Sequence, residues 1–241
     1  MRTENSDNCK EQIKNKLFVL AGPSAVGKST VLSKMVEEGL CKLVIKYSDR
    51  EDRKSIFDDI QSVSKEQIRK FCTEVLYEMY GNLYGFDIDT IKEDLYKNHL
   101  ITICSDFVSI KKMKNIFNKN FTAIFIYLQN ISVENLLKAF SERKKISFSN
   151  ELFELAKKLS EILKIENNAG YNDLEKSFKS MMKECLPISD YEEFIKRYEC
   201  LINFNKKYTK NKDLFEHTIS GRSTDELVVK CREIIKNQEG V

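Results

Sequence analysis

Residues 21–30 read AGPSAVGKST. Gly22, Gly27, Lys28 and Ser29 fit the spacing G-x-x-x-x-G-K-[ST], and the flanking residues decide whether the match means anything. KLFVLA (16–21) is an apolar run of the length of one buried strand. From Gly27 to Glu38 the apolar residues Val31, Leu32, Met35 and Val36 share one helical face, and Gly39 suits the residue just past a helix end. Strand, glycine-rich turn and amphipathic helix form the context that a phosphate-cradling loop requires. Glycines let backbone N–H groups turn inward as an anion nest, and the following helix adds its positive end. In such a loop the backbone of Gly22, Ser24, Ala25, Val26, Gly27 and Thr30 wraps a triphosphate. Lys28 reaches its outer phosphates and Ser29 ligates a magnesium ion. The plain alternative is a glycine turn that only caps a helix.

Working outward, CKLVIKYS (41–48) reads as a second strand and SKEQIRKFCTEVLYEM (64–79) as a helix opened by a capping box, Ser64 with Gln67. GNLYG (81–85) reads as a turn. IDTIKEDLYKN (88–98) is a short helix capped by Asp89, HLITICS (99–105) a strand, DFVSIKKMKNIFNKN (106–120) a helix and FTAIFIYL (121–128) a strongly buried strand. From Ser132 to Tyr208 the pattern is almost wholly helical, with Leu152, Leu155, Leu159, Ile162 and Leu163 at helical spacing. LFEHTIS (214–220) is a last strand, and a closing helix carries a second capping box, Ser223 with Glu226. Alternating strands and helices imply an α/β fold with a parallel sheet flanked by helices in three layers. The expected organisation is a flexible arm at 1–15, a core of 16–143 and 190–241, an acceptor-binding region at about 46–87, and an all-helical lid insertion at 144–189.

Bulk properties exclude several classes. The 241 residues are 41% hydrophobic, enough for a proper core. Charged residues reach 32%, yet the formal net charge is only +3, which gives no case for a general nucleic-acid binder. Seven cysteines without a CxxC pair, beside two histidines, argue against a disulfide framework or a zinc site and fit reduced thiols in a cytoplasmic protein. The polar N-terminus is too acidic for a targeting peptide, and LFVLA is far too short to span a bilayer. The chain also lacks the N-K-x-D and D-x-x-G elements of switch GTPases. What remains is a small P-loop kinase that must hold an acceptor and close a lid.

YSDREDR (47–53) follows the second strand. Its Arg50 and Arg53 are either solvated loop charges or a clamp for an anion. With the loop upstream, phosphate binding is the favoured reading, because the guanidinium fork suits phosphate oxygens.

Taken together these stretches resemble the guanylate kinase family. LFVLAGPSAVGKST is similar to that family's strand and P-loop, YSDREDR to its T-[ST]-R-x-x-R segment, and GNLYG with DTIKEDL to its G-N-x-Y-G turn and helix. ITICSD resembles the strand ending in an acidic pair, of which only Asp106 is acidic here. IFIYLQNISVENLLKAFSERK resembles the strand and first lid helix, and FIKRYECLINFNKKY the returning lid helix. The resemblance covers most of 16–143 and 190–237 but not 144–189. It implies a transfer of the ATP γ-phosphate to a nucleoside monophosphate, with GMP or dGMP the best guess, and with ATP and Mg2+ as cofactors. Arg50, Arg53 and Tyr84 are implied as ligands of the acceptor phosphate, with Lys46 in the place of a phosphate-binding serine. Arg143 and Arg197 are implied as lid arginines that stabilise the transferring group, and Asp106 as a residue near the magnesium and the acceptor.

The departures are local. The glutamate that reads guanine in the family falls on Val75, the hydroxyl residue after the turn is Phe86, and a G-x-x-Y-x-F segment is replaced by KSIFDDIQSV. Base specificity is therefore expected to be altered. The alternatives are a guanylate-kinase-like nucleotide-binding or scaffold module without turnover, or a P-loop kinase acting on a phosphorylated sugar. The apolar stripe of the insertion must pack on the lid itself or on a second subunit, which leaves a homodimer open.

Overall fold

The computed structural model describes residues 13–50, 59–129, 132–163 and 171–238. In chain order the first elements are β1 (Leu17–Ala21), α1 (Lys28–Glu37), β2 (Lys42–Leu43), β3 (Lys46–Ser48), β4 (Ile60–Ser62), α2 (Lys65–Phe71), β5 (Val75–Met79) and β6 (Asn82–Phe86). Then come α3 (Ile88–Leu95), β7 (Leu100–Ile103), α4 (Phe107–Phe117) and β8 (Phe121–Leu128). Five helices follow: α5 (Val133–Lys144), α6 (Asn150–Ile162), α7 (Tyr171–Cys185), α8 (Ile188–Ile202) and α9 (Phe204–Lys210). β9 (His217–Gly221) and α10 (Thr224–Lys236) complete the chain.

Every residue of β1 is buried, as a strand covered on both faces must be. It lies at the centre of a parallel sheet of order β2-β7-β1-β8-β9. Successive side chains of β1 point to opposite faces. Leu17, Val19 and Ala21 join the core that also holds Leu95 of α3 and Ile110 and Met113 of α4. Phe18 and Leu20 join the core formed with Val31, Leu32 and Met35 of α1 and Leu227 and Cys231 of α10. The three-layer α/β expectation therefore holds.

A second sheet, absent from the sequence reading, has the order β4-β3-β6-β5. CKLVIKYS is not one strand: β2 pairs with β7 in the main sheet, and β3 pairs with β4 and β6 in the second. The single helix expected at 64–79 is also corrected. Its capping box is present, but the helix stops at Phe71, and Val75–Met79 form a strand antiparallel to β6. Ile68 belongs to the buried face of the helix, while Val75 and Leu76 obey strand alternation, so two short apolar patterns had merged into one helical period. Within GNLYG only Gly81 lies in the turn, and the rest is β6. The cap of α3 is Asp87, not Asp89: its carboxylate accepts from the Thr90 N–H. Of the closing box, Ser223 caps Glu226, but the Glu226 carboxylate accepts from the Arg222 N–H instead of completing the reciprocal bond.

The helices from α5 to α8 bury a core of their own. Leu136, Leu137 and Phe140 meet Leu152, Ala156 and Leu159, then Phe178, Met182, Phe194 and Tyr198. The stripe of α6 is thus covered within the chain and makes no demand for a second subunit. Phe194 is fully buried with Phe140 and Phe178 at ring distances of 5.2 and 5.9 Å. Phe194→Ala is expected to destabilise the helical cluster by about 3–5 kcal/mol, read by chemical denaturation followed by helical circular dichroism.

Candidate functional site

The strand-to-helix junction builds the site. Gly22 leaves β1 with φ 154°, and a Cβ there would lie 2.2 Å from the carbonyl oxygen of Ile126 on β8. Gly27 has φ 90°, and a Cβ there would lie 2.6 Å from the Thr224 side chain at the start of α10. Both positions therefore exclude a side chain for steric as well as conformational reasons. Ala25, with φ 61°, adds a left-handed turn between them. The first turn of α1 carries no acidic residue, so its positive end is unopposed by a carboxylate of its own. Val26 packs into the core, so only its backbone can serve an anion. Ser29 and Thr30 are exposed.

Lys28 curls over this loop. Its Nζ donates to the carbonyls of Gly22 (2.9 Å) and Pro23 (2.5 Å). Burial pulls its ammonium down to about 7; Cys200 and Asp59 counter the fall, and Arg197 and Lys46 deepen it. A cation held by neutral carbonyls near other cations is primed for a polyanion.

A cleft of about 360 Å³ opens above the loop. Gly22, Ser24, Ala25, Gly27, Lys28 and Ser29 line one end, and Lys46, Arg50 and Tyr84 line it from the second sheet. Arg143 of α5 and Arg197 of α8 line it from the helical cluster. Val26 and Thr30 do not line it, and Arg53 lies outside the described residues. Asp106 stands at an adjoining cavity and caps α4, accepting from the Ser109 N–H at 2.8 Å. The Arg50 backbone is tied at both ends: its N–H donates to Ser48 Oγ and its carbonyl accepts from Ser62 Oγ. Tyr84 is buried and stacks on Tyr77 at 5.2 Å.

The two helical arginines share one carboxylate. Glu193 Oε1 accepts from Arg197 Nε and NH2 at 2.9 and 2.6 Å and lies 3.8 Å from Arg143 NH1. Lys144 reaches the other oxygen at 2.9 Å. Burial pushes this carboxyl up, but Lys144 and Arg197 outweigh it and hold it at about 2.

Lys46 was expected at the site from the resemblance, but Asp59 and Tyr77 of the same cleft carried no signal in the sequence. Lys46 is 5% exposed and pairs with Asp59 at 2.6 Å, while also donating to the Ile103 carbonyl. Asp59 sits in KSIFDDIQSV, where no register told the two aspartates apart. Val75 and Phe86, the places where base readers were expected to have changed, are both fully buried and face each other across the hairpin. On β5 Tyr77, two positions along, lines the cleft together with Met79. A helical register hid it, because strand alternation puts Val75, Tyr77 and Met79 on one face.

No family model matches the chain. Over 188 residues it is 27% identical to the guanylate kinase of Schizosaccharomyces pombe, covering 72% of this chain and 92% of that one. Over 160 residues it is 28% identical to guanylate kinase 2, chloroplastic/mitochondrial, of Oryza sativa, covering 63% and 55%. Its fold matches the crystal structure of guanylate kinase from Anaplasma phagocytophilum with a TM-score of 0.53 over 95% of this chain and 89% of the other, at 14% identity. The chain is similar in sequence to guanylate kinases and shares their fold. β1 with its glycine loop and α1 bounds one end of the cleft, and the second sheet bounds the other.

The Lys46–Asp59 pair is expected to behave as a buried ion pair. Removing one partner, as in Asp59→Leu, leaves a buried charge and costs about 3–5 kcal/mol, whereas Lys46→Met with Asp59→Leu recovers most of that loss. Urea unfolding of the two single variants and the double variant checks this.

Proposed function

We propose that the chain is an ATP-dependent phosphotransferase of guanylate-kinase type that moves the γ-phosphate to a nucleoside monophosphate, with GMP or dGMP the first candidate. The observation that carries this reading is the convergence on one cleft of the P-loop, Lys28, Arg50, Tyr84, Arg143 and Arg197. The glycine loop takes the donor phosphates on its N–H groups, and Lys28 leaves the Gly22 and Pro23 carbonyls to meet them. The loop fits magnesium in one respect, since the exposed Ser29 hydroxyl follows Lys28 at the head of α1. Ser29 would hold the ion, which would supply charge neutralisation during the transfer. Arg50 and Tyr84, with Arg53 beyond, hold the acceptor phosphate. Arg143 and Arg197 stabilise charge on the group in transit, and Glu193 keeps both guanidinium groups at the cleft wall until the phosphates compete for them.

The acceptor end supports a nucleobase of a particular kind. Lys46 offers a donor beside the acceptor oxygens of Asp59, and both line the cleft next to Tyr77. A base edge with a carbonyl next to an N–H, such as that of a 6-oxopurine, complements this pair. Release of ADP measured over GMP, dGMP, AMP, CMP, UMP and a sugar phosphate tests the reading. Highest turnover with a 6-oxopurine monophosphate is expected. Equal and negligible turnover with every nucleotide removes the nucleotide part and leaves the sugar-phosphate or non-catalytic alternatives.

Two further outcomes follow. Lys28→Ala is expected to lower kcat by at least about 10²-fold. Lys28 is neutral above about 7 in the free protein, against an ordinary value of 10.5, and phosphates favour its charged form. ATP binding should therefore take up protons as the pH rises through that value, and affinity should fall by up to about ten-fold per pH unit above it. Below it neither effect from this lysine is expected. Calorimetry at pH 6.5 and 8.5, in buffers of different ionisation enthalpy, measures the uptake.

A further inference from the structure

Tyr80 and Gly81 are the two-residue turn between β5 and β6, with Met79 paired to Asn82 across it. Both have positive φ, 55° and 85°. This is the turn for which Asn-Gly or Gly-Gly is the natural choice, and a tyrosine at the first position is strained there. A strained bulky residue persists where its surroundings hold it. Those surroundings come from two other parts of the molecule. The Arg197 guanidinium of α8 lies over the Tyr80 ring at 4.3 Å. The Tyr80 hydroxyl stands 3.4 Å from Ser24 Oγ of the P-loop. Burial, with a smaller contribution from Cys200, pushes that hydroxyl up to about 12, so it stays a neutral donor. Tyr80 also lines both the cleft and the adjoining cavity of about 430 Å³ that holds Asp106 and Lys196. It forms a wall between them.

We infer that Tyr80 is a positioning residue: from the tip of the acceptor hairpin it holds Arg197 over the P-loop and so ties the acceptor sheet, the donor loop and the helical lid together. The ring supplies a face for the guanidinium, whose edge is left to Glu193 and to an incoming anion. The hydroxyl keeps the hairpin tip against Ser24. The consequence for phosphotransfer rests on the role proposed above for Arg197; the mechanical tie does not.

The test compares Tyr80→Asn and Tyr80→Gly, which suit the turn but remove the ring, with Tyr80→Phe, which removes only the hydroxyl. Turn-compatible residues should keep the thermal midpoint at or above that of the unaltered protein. In the ligand-free protein, amide hydrogen exchange of α8 around Arg197–Leu201 should be about three- to ten-fold faster in the Asn and Gly variants and less affected in the Phe variant. In phosphotransfer, kcat should fall on the order of ten-fold in the Asn variant, with a smaller fall in the Phe variant. The loss caused by Arg197→Ala should be about ten-fold smaller in the Tyr80→Asn background than in the unaltered one. Unchanged α8 exchange, or losses that simply multiply, overturns the inference. Altered α8 exchange in a protein that phosphorylates no monophosphate upholds the tie and removes the kinase reading instead.

Discussion

The approach of Gly22 to the carbonyl oxygen of Ile126 is the constraint on which the cleft depends. Only a residue without a side chain lets the chain leave β1 so close to β8. That closeness turns the loop back over the end of the sheet and starts α1 directly beneath it. Gly27 repeats the requirement against Thr224 of α10. With both contacts made, the loop leads into the head of α1, and the Lys28 ammonium turns back to the carbonyls of Gly22 and Pro23. The central sheet is then more than a core: its buried strands are the rigid floor that keeps the cradle in register.

Around that floor the charges are arranged in unequal partnership. Among the described residues Lys28 has only carbonyls for hydrogen-bond partners, and burial depresses its ammonium. Lys46 has a carboxylate at 2.6 Å and is neutralised in place. Arg143, Lys144 and Arg197 crowd one glutamate, whose carboxyl is held low by Lys144 and Arg197. Among the described residues the cleft carries more cation than its own anions balance, and a polyanion entering it would exchange water for fixed donors. Distance from a counter-charge separates the lysine proposed for a moving phosphate from the lysine proposed for a fixed recognition edge.

The places where sequence and structure diverge share one cause. A run of seven helical residues followed by five strand residues, both carrying apolar positions, imitates one longer helix when read by period alone. The missing evidence was tertiary: β5 exists because β6 pairs with it, and neither pattern declares that partner. The same error concealed Tyr77; attention fell instead on Val75 through the family resemblance, and its side chain is in the core. Asp59 was invisible for another reason, since its meaning comes from Lys46 arriving beside it from β3. Arg197 and Arg143 were legible as charged helix residues, but Glu193, which binds the Arg197 guanidinium and lies 3.8 Å from that of Arg143, looked like any other acid on an amphipathic helix.

What a linear reading settles here is local and covalent in origin. The glycine spacing, the apolar strand before it and the amphipathic helix after it declare the phosphate cradle, because backbone freedom and period are properties of neighbouring residues. The alternating strands and helices declare the layered α/β fold for the same reason. The course of CKLVIKYS through two sheets, the hairpin that carries Tyr77, Tyr80 and Tyr84, and the meeting of both lid arginines on one carboxylate belong to the folded chain alone. They are set by contacts between residues far apart in sequence, and such contacts acquire an energy only after the chain has brought them together.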